Sequence, residues 1–281
     1  MSLAPDSNIN TAASNPNINL FGLPFQLSPS STQKSGIGVV TSFAAEAFTP
    51  LTSDLRLRTG GLFYGEFFPG HSQFDDTQVR ATIGPQWLWN DADLSVLAVA
   101  GKRWFGLEPY SENVGGRIEG DYALTKNLQL YSSLEGLSDS YHSQKYYNGY
   151  NLDQQNFLTY YFSPHALVRL IGGVGYQSAA IDAFEYWYWN TGFGVQFEFP
   201  WGITAYFEPD ARFSYYSGID PFFGIRREDR LYSARFSVYK RDWNIFGFSP
   251  VATVLYSRNV TNDPIYRFHR LQFQLGFTKQ F

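Results

Sequence analysis

The side chains that could carry out covalent chemistry are few in this sequence. Ser138, Ser140 and His142 form the one group in which candidate nucleophiles stand beside a candidate base, as acyl transfer requires. That chemistry also needs a carboxylate that orients the histidine, and the sequence alone assigns no residue to this role. No phosphate-binding loop, metal-ligand cluster or nucleophile elbow is present. We therefore expect a protein that is not an enzyme and needs no cofactor.

Charged side chains form a second candidate site, because they lie on the polar face of alternating segments. In residues 185–199, Trp187 and Phe197 share one parity, whereas Asn190 and Gln196 share the other. Successive side chains of a strand point to opposite faces, so such a segment has one apolar and one polar face. Charges of both signs on the polar faces predict an ion-paired lumen, which is either a substrate path or only a structural brace. The predicted lumen residues are Arg56, Arg58, Glu66, Arg80, Arg117, Glu119, Asp121, Glu135, Arg169, Glu198, Glu208, Asp210, Arg212 and Arg235.

The last segment, residues 266–281, indicates where these faces point. Leu271, Phe273, Leu275 and Phe277 alternate with polar residues, which predicts a strand with one apolar face. An exposed apolar edge strand invites aggregation in a soluble protein, whereas pairing with the first strand closes a barrel and removes the edge. The apolar face of a barrel with a polar lumen points outward, toward lipid.

The whole chain divides into alternating segments separated by turn residues. It opens with a short strand at residues 4–10 and a long first extracellular loop at 13–34. The later predicted strands are 36–48, 54–67, 77–89, 94–106, 114–124, 128–141, 149–162, 166–180, 185–199, 203–217, 227–239, 248–259 and the closing strand 266–281. About fourteen strands, an even number, predict one all-β domain over residues 1–281, a transmembrane antiparallel β-barrel.

The connectors favour this barrel over a soluble two-sheet sandwich, which is the alternative fold. Short connectors at 49–53, 90–93, 125–127, 163–165 and 200–202 alternate with longer ones at 69–76, 107–113, 142–148, 218–226 and 260–265. The long connector 240–247 and the short connector 181–184 depart from the rule. Short periplasmic turns opposite longer extracellular loops are typical of outer-membrane barrels. The seven tryptophans fall near predicted strand ends, as aromatic girdles do.

Composition agrees with a barrel and excludes other classes of protein. Charged residues make up only 16% of the chain, and no apolar run is long enough for a membrane helix. The lack of cysteine excludes disulfides and thiolate metal sites. A net charge of −4 without a basic block argues against a nucleic-acid partner. Residues 1–3 do not begin a signal peptide, so we expect a domain taken from a longer chain.

The closing strand carries a candidate signal for barrel closure and assembly. Gly276, Phe277 and Phe281 resemble the ending that the barrel assembly machinery reads in bacterial outer-membrane barrels. Lys279 departs from that pattern, since an apolar residue is usual there. A lysine near the water boundary can snorkel, so the departure is compatible with the signal.

The first strand is expected to pair weakly with the closing strand. Pro5 cannot donate a ladder hydrogen bond, and Asp6, Ser7 and Asn8 favour local turns. We therefore predict that the seam between the first and last strands is the weakest pairing in the wall. A position near Gln274 is expected to stand opposite Ser7.

Several short motifs resemble the barrel domain of the surface lipoprotein assembly modifier family. They are residues 4–10, Arg227-Glu-Asp-Arg230, Phe248-Ser-Pro250, Tyr256-Ser-Arg-Asn259 and Thr278-Lys-Gln-Phe281. The resemblance implies a barrel of about fourteen strands in the Gram-negative outer membrane, which helps to move lipoproteins or related secreted proteins to the cell surface. Family members usually carry a periplasmic tetratricopeptide-repeat domain before the barrel, and no helical repeat occurs in this sequence.

These observations lead to one expected function and two alternatives. We expect a monomeric translocator barrel whose partners are a surface lipoprotein or secreted cargo, outer-membrane lipids and the barrel assembly machinery. The first alternative is a porin-like channel for small solutes. The second, less favoured, is a barrel enzyme that modifies lipid.

Overall fold

The computed structural model describes residues 1–20, 23–244 and 246–278, and fourteen of its strands form one closed antiparallel barrel. The first barrel strand is β1 (Ser2–Asp6), and a separate two-stranded antiparallel sheet of β2 (Asn17–Leu20) and β3 (Leu23–Gln26) lies in the connector after it. The other barrel strands are β4 (Gly36–Pro50), β5 (Leu55–Phe67), β6 (Asp76–Leu88), β7 (Ala92–Phe105), β8 (Glu108–Thr125), β9 (Leu128–Tyr141), β10 (Gly149–Ser163), β11 (Ala166–Gln177), β12 (Tyr186–Phe199), β13 (Ile203–Ile219), β14 (Arg226–Lys240), β15 (Ser249–Thr261) and β16 (Phe268–Thr278). The predicted fold class is confirmed.

The barrel is a meander that a single short strand closes. From β4 to β16, every strand pairs with the next one along the chain. β1 pairs on one side with β4, where Ser2 stands opposite Val40, and on the other with β16, where Ser2 stands opposite Gly276. Phe281 of the predicted assembly signal, and Lys279, which departs from that signal, lie outside the described residues.

The strand faces are arranged as a membrane barrel requires. On β16 the apolar side chains Phe273, Leu275 and Phe277 are exposed on the outer surface, whereas Gln272 is only 4% exposed and faces inward. A sandwich would bury the apolar face and expose the polar one, so the arrangement excludes the soluble alternative. In the described part of the chain, no helix combines the length and the apolar character that crossing a membrane would require.

The two ends of the barrel differ in their connectors. One end, here called the turn end, carries residues 51–54, 89–91, 126–127, 164–165, 200–202 and 241–248. The opposite end, here called the loop end, carries residues 7–35, 68–75, 106–107, 142–148, 178–185, 220–225 and 262–267. The predicted alternation of short and long connectors is therefore present, with the long 241–248 connector at the turn end as expected.

Two predicted loop-end connectors were wrong in length. Residues 107–113 were expected to be a loop, but β8 already begins at Glu108. Gly106 and Leu107 both have positive φ, at 60° and 70°, so they form a two-residue turn that lets the hairpin continue outward. The connector after β11 was expected to be short, but it runs over residues 178–185 because a single helical turn (Asp182–Phe184) precedes β12.

The connectors before four strands end in the same small structure. Each is one turn of 3₁₀ helix whose last residue is aromatic and half-buried, two positions before the strand begins. These residues are Phe74, Tyr147, Phe184 and Tyr266. The repeated turn directs one aromatic ring per connector over the loop end of the barrel.

Pro85 marks a place where the wall is locally unpaired. The β6–β7 ladder includes Ile83 opposite Ala98 and Gln86 opposite Ser95, with no rung between them in the described ladder. Proline cannot donate to a neighbouring strand, which accounts for the interruption. Beside it, a Cβ added to Gly84 would lie 1.9 Å from the carbonyl oxygen of Val96.

We predict that Gly84→Ala destabilises the folded barrel, whereas Gly61→Ala does not. The added methyl group at Gly84 meets backbone that cannot move aside, and overpacking of this kind costs about 1–3 kcal/mol. Gly61 has nothing within 4 Å of its added Cβ, so it provides a matched control. The measurement is the temperature at which the fast-migrating folded band is lost in a detergent gel. Equal midpoints for the two variants would contradict the prediction.

Candidate functional site

A series of linked ion pairs runs along the lumen side of the wall from β5 to β9. Arg58 Nη1 lies 2.5 Å from Glu119 Oε1, and Arg117 Nη1 lies 3.3 Å from the other oxygen of Glu119. Arg117 Nε lies 2.8 Å from Glu135 Oε2, which also contacts Arg80. The charges alternate in sign along the series, so each carboxylate is shared between two guanidinium groups. This arrangement compensates charges that the barrel removes from bulk water.

The other predicted lumen residues form smaller contacts rather than one continuous network. Arg56 Nε donates to Gln86 at 2.7 Å, Gln129 donates to Asp121 at 2.6 Å, and Arg169 Nε donates to Thr159 at 3.1 Å. Glu198 lies at the turn end, 2.5 Å from Arg241 Nη1. Glu208 accepts a hydrogen bond from Tyr206 and is the register partner of Arg235. Asp210 is the register partner of Ser233. The guanidinium carbon of Arg212 lies 3.5 Å from the Tyr188 ring centroid.

A second cluster lies on the lumen side of the seam. Asp6 of β1 is buried and accepts from Arg270 and Gln272 of β16 at 2.7 and 2.9 Å. Arg270 and Gln272 also donate to Glu66 of β5, at 2.9 and 2.6 Å. Around the barrel, β4 and β1 lie between β5 and β16. The contacts from β16 to Glu66 therefore cross both of these strands. They therefore tie β16 to β5 independently of β1.

Ser7 and Asn8 extend this tie to the loop end of the seam. Ser7 N donates to Leu271 O at 3.0 Å, and Leu271 N donates to Ser7 Oγ at 2.8 Å. Asn8 Nδ2 donates to His269 O at 3.2 Å. The expected partner of Ser7 near Gln274 was wrong, because the register places Leu271 opposite it.

Pro5 lies at a position where the missing N–H removes a hydrogen bond from the β1–β16 ladder. Met1 N donates to Phe277 O, and Ser7 N donates to Leu271 O, so odd residues of this segment direct their N–H groups toward β16. Pro5 shares that parity and has no N–H. The β1–β16 register accordingly contains Leu3 opposite Leu275 and Asp6 opposite Gln272, without rungs between them in the described residues.

On its other edge, β1 pairs with only part of β4. Ser2 pairs with Val40, so residues 41–50 of β4 extend past β1 toward the turn end, and Ser42–Pro50 are exposed. Among the described residues, that stretch pairs with β5 only. The contacts that hold the seam are thus concentrated at the loop end.

Aromatic rings and two arginine–aspartate pairs gather inside the loop end. Arg103 donates to both oxygens of Asp76, at 2.9 and 2.7 Å, and its guanidinium carbon lies 5.0 Å from the Tyr110 ring centroid. Arg227 pairs with Asp229, and its guanidinium carbon lies 3.3 Å from the Tyr266 ring centroid. None of these residues was predicted as a site residue, although Arg227 and Asp229 lie in the Arg227-Glu-Asp-Arg230 motif. The aromatic residue two positions before four strands is the signal that could have revealed them.

Asp263, in the connector 262–267, is a buried carboxyl group with an unusual ionisation. Its side chain is fully buried and accepts from Ile265 N at 3.2 Å, and its Oδ2 has no hydrogen-bond partner in the described part of the chain. Burial, aided by the nearby Asp220, raises the pKa of Asp263 from 3.8 to about 6. At neutral pH this group is therefore held as a buried anion at a cost to stability.

In the candidate acyl-transfer group a carboxylate lies near His142, but among the described residues no hydrogen bond joins Ser138 or Ser140 to His142. His142 Nε2 lies 3.6 Å from Glu112 Oε1, a carboxylate that also contacts Lys102 at 2.5 Å. Ser138 stands opposite Val114 and Tyr150 within the wall. In the part of the chain that the structure covers, no group of three or more metal-ligating side chains is found. The expectation that the protein is not an enzyme stays a prediction.

The fold, the outward apolar face and the charged lumen define a β-barrel of the bacterial outer-membrane class. The sequence profile of the family described as surface lipoprotein assembly modifier matches residues 1–281. The chain therefore belongs to the surface lipoprotein assembly modifier family, as the sequence motifs had indicated.

Individual relatives agree with the family match. Surface lipoprotein assembly modifier 1 of Haemophilus influenzae strain Rd is 21% identical over 237 residues, covering 77% of this chain and 47% of the relative. The surface lipoprotein assembly modifier of Moraxella catarrhalis is 24% identical over 226 residues, covering 78% and 44%. The chain thus spans about half the length of these relatives.

Two solved structures have a similar course of the chain. The CymD monoaromatic hydrocarbon channel has a TM-score of 0.48 and 9% identity, covering 100% of this chain and 87% of that one. A bacterial polysaccharide outer membrane secretin has a TM-score of 0.41 and 14% identity, covering 100% and 97%. These likenesses are distant, and no statement about function rests on them.

We predict that Glu119→Gln destabilises the barrel more than Glu112→Gln. Glu119 is 5% exposed and holds Arg58, Arg117 and the Tyr131 hydroxyl, so the neutral side chain leaves Arg58 paired with Glu46 alone and Arg117 paired with Glu135 alone. Breaking a buried pair costs about 3–5 kcal/mol, and partial hydration of a lumen reduces that value. Glu112 is 49% exposed, and an exposed pair contributes about 0–1 kcal/mol. The measurement is the denaturant midpoint of each variant in detergent. Equal decreases for Glu119→Gln and Glu112→Gln would contradict the prediction that the lumen ion pairs stabilise the barrel.

We predict that Asp263→Asn raises stability at pH 7.5 but not below pH 4. Because the folded pKa lies above the ordinary value, the folded state binds the proton more tightly, and this stabilisation is lost as pH rises through about 6. A neutral Asn removes the penalty, which amounts to at most about 3 kcal/mol. The measurement is the difference in thermal midpoint between Asp263→Asn and the unchanged protein at each pH. A difference that does not vary with pH would contradict the assignment.

Proposed function

We propose that this barrel is an outer-membrane translocator that assists the export or surface display of lipoproteins, or of related secreted proteins, in Gram-negative bacteria. It acts without covalent chemistry or a cofactor, as a single copy inserted by the barrel assembly machinery. Membership of the surface lipoprotein assembly modifier family supports the cargo class. The outward apolar belt supports insertion in a membrane.

The observation that carries the proposal is the construction of the seam. Thirteen strands of the barrel run through 11 to 18 residues, but β1 has only five. Pro5 removes one donor from its ladder to β16, so few backbone hydrogen bonds hold the two strands. A weak seam is a liability in an inert pore, since lipid cannot satisfy the backbone groups that it exposes. The same weakness serves a wall that must part for cargo anchored in lipid.

The positions of the side-chain ties give the opening a direction. Glu66, Arg270 and Gln272 hold β5 to β16 near the loop end whether or not β1 stays in place. Ser7 and Asn8 add further bonds at that end. The wall therefore parts from the turn end and remains hinged at the loop end. A lipid-linked polypeptide that enters on the periplasmic side meets the weaker end first.

A channel for small solutes is a second candidate function. It is favoured by polar cavities inside the barrel, one of about 430 Å³ that contains Arg80, Glu135 and Asp153, and one of about 300 Å³ that contains Glu208, Arg235 and Arg270. Steady single-channel conductance of the size of an open porin would favour this second candidate. Small or flickering conductance would favour the translocator, because ion pairs then fill the lumen.

A disulfide across the seam tests the proposal. Leu3 and Leu275 are register partners on the lipid-facing surface, and the chain has no native cysteine. We expect Leu3→Cys/Leu275→Cys, once oxidised or linked by a short thiol crosslinker, to block display of a co-expressed lipoprotein. Reduction should restore display, because only the seam has been fixed. The assay labels surface cargo on cells that express the full-length protein.

The matched control locks a different strand pair through the same residue. Ala252 stands opposite Leu275 on β15, so Ala252→Cys/Leu275→Cys crosslinks two strands that remain paired throughout the proposed cycle. This control should display cargo normally. If the locked seam also displays cargo normally, the seam is not the route and the lumen must be. If the unchanged protein never alters cargo display, the translocator function itself is wrong.

A further inference from the structure

The loop end of the lumen contains an aromatic cavity that cargo transport through the seam does not use. It has a volume of about 230 Å³ and receives side chains from strands as far apart as β8 and β14. The aromatic residues that line it are Tyr110, Tyr141, Tyr147, Phe184, Tyr186 and Tyr216. Two of them, Tyr147 and Phe184, are supplied by the repeated 3₁₀ turns of the connectors.

The aromatic rings of this cavity pack against one another. Tyr147 lies 5.5 Å from Tyr141 and 4.8 Å from Phe184 between ring centroids, and Tyr141 lies 5.4 Å from Tyr110. On the far side, Tyr186 lies 4.9 Å from Tyr216. Burial raises the pKa of Tyr147, so its hydroxyl stays protonated and the ring stays neutral at physiological pH. The cavity thus offers neutral ring faces with polar tips.

A polar cavity adjoins the aromatic one on the lumen side. Its volume is about 430 Å³, within the range of about 300–1,000 Å³ that is usual for small-molecule sites. Tyr141 and Gln177 line both cavities, so the two are adjacent. Asn151 Nδ2 donates to Gln177 Oε1 at 3.0 Å, and Gln177 Nε2 donates to Asp139 Oδ2 at 3.3 Å. Asp139 keeps most of its acceptor sites available, since a carboxylate has about four.

The charges around the polar cavity favour a neutral ligand. Arg80 and Glu135 contact each other, and Arg103 is held by both oxygens of Asp76. An anionic ligand would have to displace Glu135 or Asp76 from its arginine. The other carboxylates of the cavity, Asp139 and Asp153, accept hydrogen bonds from the neutral donors Gln177 and Gln155. A ligand that is rich in hydroxyl groups both donates and accepts, so it can bind carboxylates, carboxamides and guanidinium groups without disturbing the pairs.

We propose that these two cavities form a binding site for a neutral oligosaccharide. A sugar ring has an apolar face that can stack on Tyr147 and Tyr141, and a rim of hydroxyl groups that reaches Gln177 and Asp139. The site opens at the loop end, which the proposed orientation places outside the cell. It is separate from the seam, so its failure would leave the translocator proposal intact.

The test uses the purified barrel in a detergent without a sugar headgroup, with maltotriose as the probe. Isothermal titration should show saturable binding. Tyr147→Ala should weaken it about tenfold by removing a stacking face, whereas Tyr147→Phe should retain most of it. Tyr147→Leu keeps apolar bulk in the connector and replaces the alanine variant if that one fails to fold. Tyr150→Ala is the matched control, because Tyr150 is 54% exposed and does not line the cavity.

Binding of maltotriose is compared only among variants that fold. Every variant must first show the fast-migrating folded band, so that loss of binding is not loss of fold. Saturable binding that falls in Tyr147→Ala or Tyr147→Leu and is unchanged in Tyr150→Ala supports the site. No saturable binding of maltotriose, an equal effect of Tyr147→Ala and Tyr150→Ala, or binding of a neutral extended peptide in place of the sugar overturns it.

Discussion

Backbone hydrogen bonding in lipid is the constraint on which this structure depends. A barrel in a hydrocarbon environment must pair every N–H and C=O group within the wall, since no water is available to replace a missing partner. Most of the wall meets this demand through long antiparallel neighbours, but closure rests on β1, with five residues. The architecture therefore concentrates its weakest backbone pairing at one place. The polar side chains of the seam are best understood as a response to that weakness.

The lumen charges act on the seam as well as on the wall. Within β5 to β9 the ion pairs join adjacent strands and strands three positions apart, so they brace that part of the wall. At the seam, Arg270 reaches Glu66 over the two intervening strands, so a contact inside the lumen substitutes for ladder bonds that the wall lacks. One end of the seam is consequently held by charge and the other by a short ladder alone. That asymmetry is the feature on which the proposed opening of the seam rests.

Much of the fold could be predicted because a period of two is a local property of the sequence. The alternation fixed the strands, their even number and the outward face of β16. Turn geometry was less accessible: the positive φ of Leu107 made a tight turn where residues 107–113 were expected to be a loop. The site was predictable only as a set of inward charges. Which partners meet depends on how strands are staggered, since Arg58 on β5 reaches Glu119 on β8 across two strands. The partner of Ser7 was misplaced for the same reason.

The loop-end aromatics also bear on how a polypeptide could cross this barrel. Rings from connectors and strands on both sides of the mouth converge on a cavity of about 230 Å³, which suits a ring-sized ligand. A folded or extended cargo protein with lipid attached would have to displace these packed rings, and its acyl chains would have to pass a lumen lined with ion pairs. A lateral route imposes neither cost, because acyl chains can stay in the membrane while the seam parts beside them. The packed rings at the loop end therefore support the proposed seam route for cargo, and they leave the lumen to the proposed small ligand.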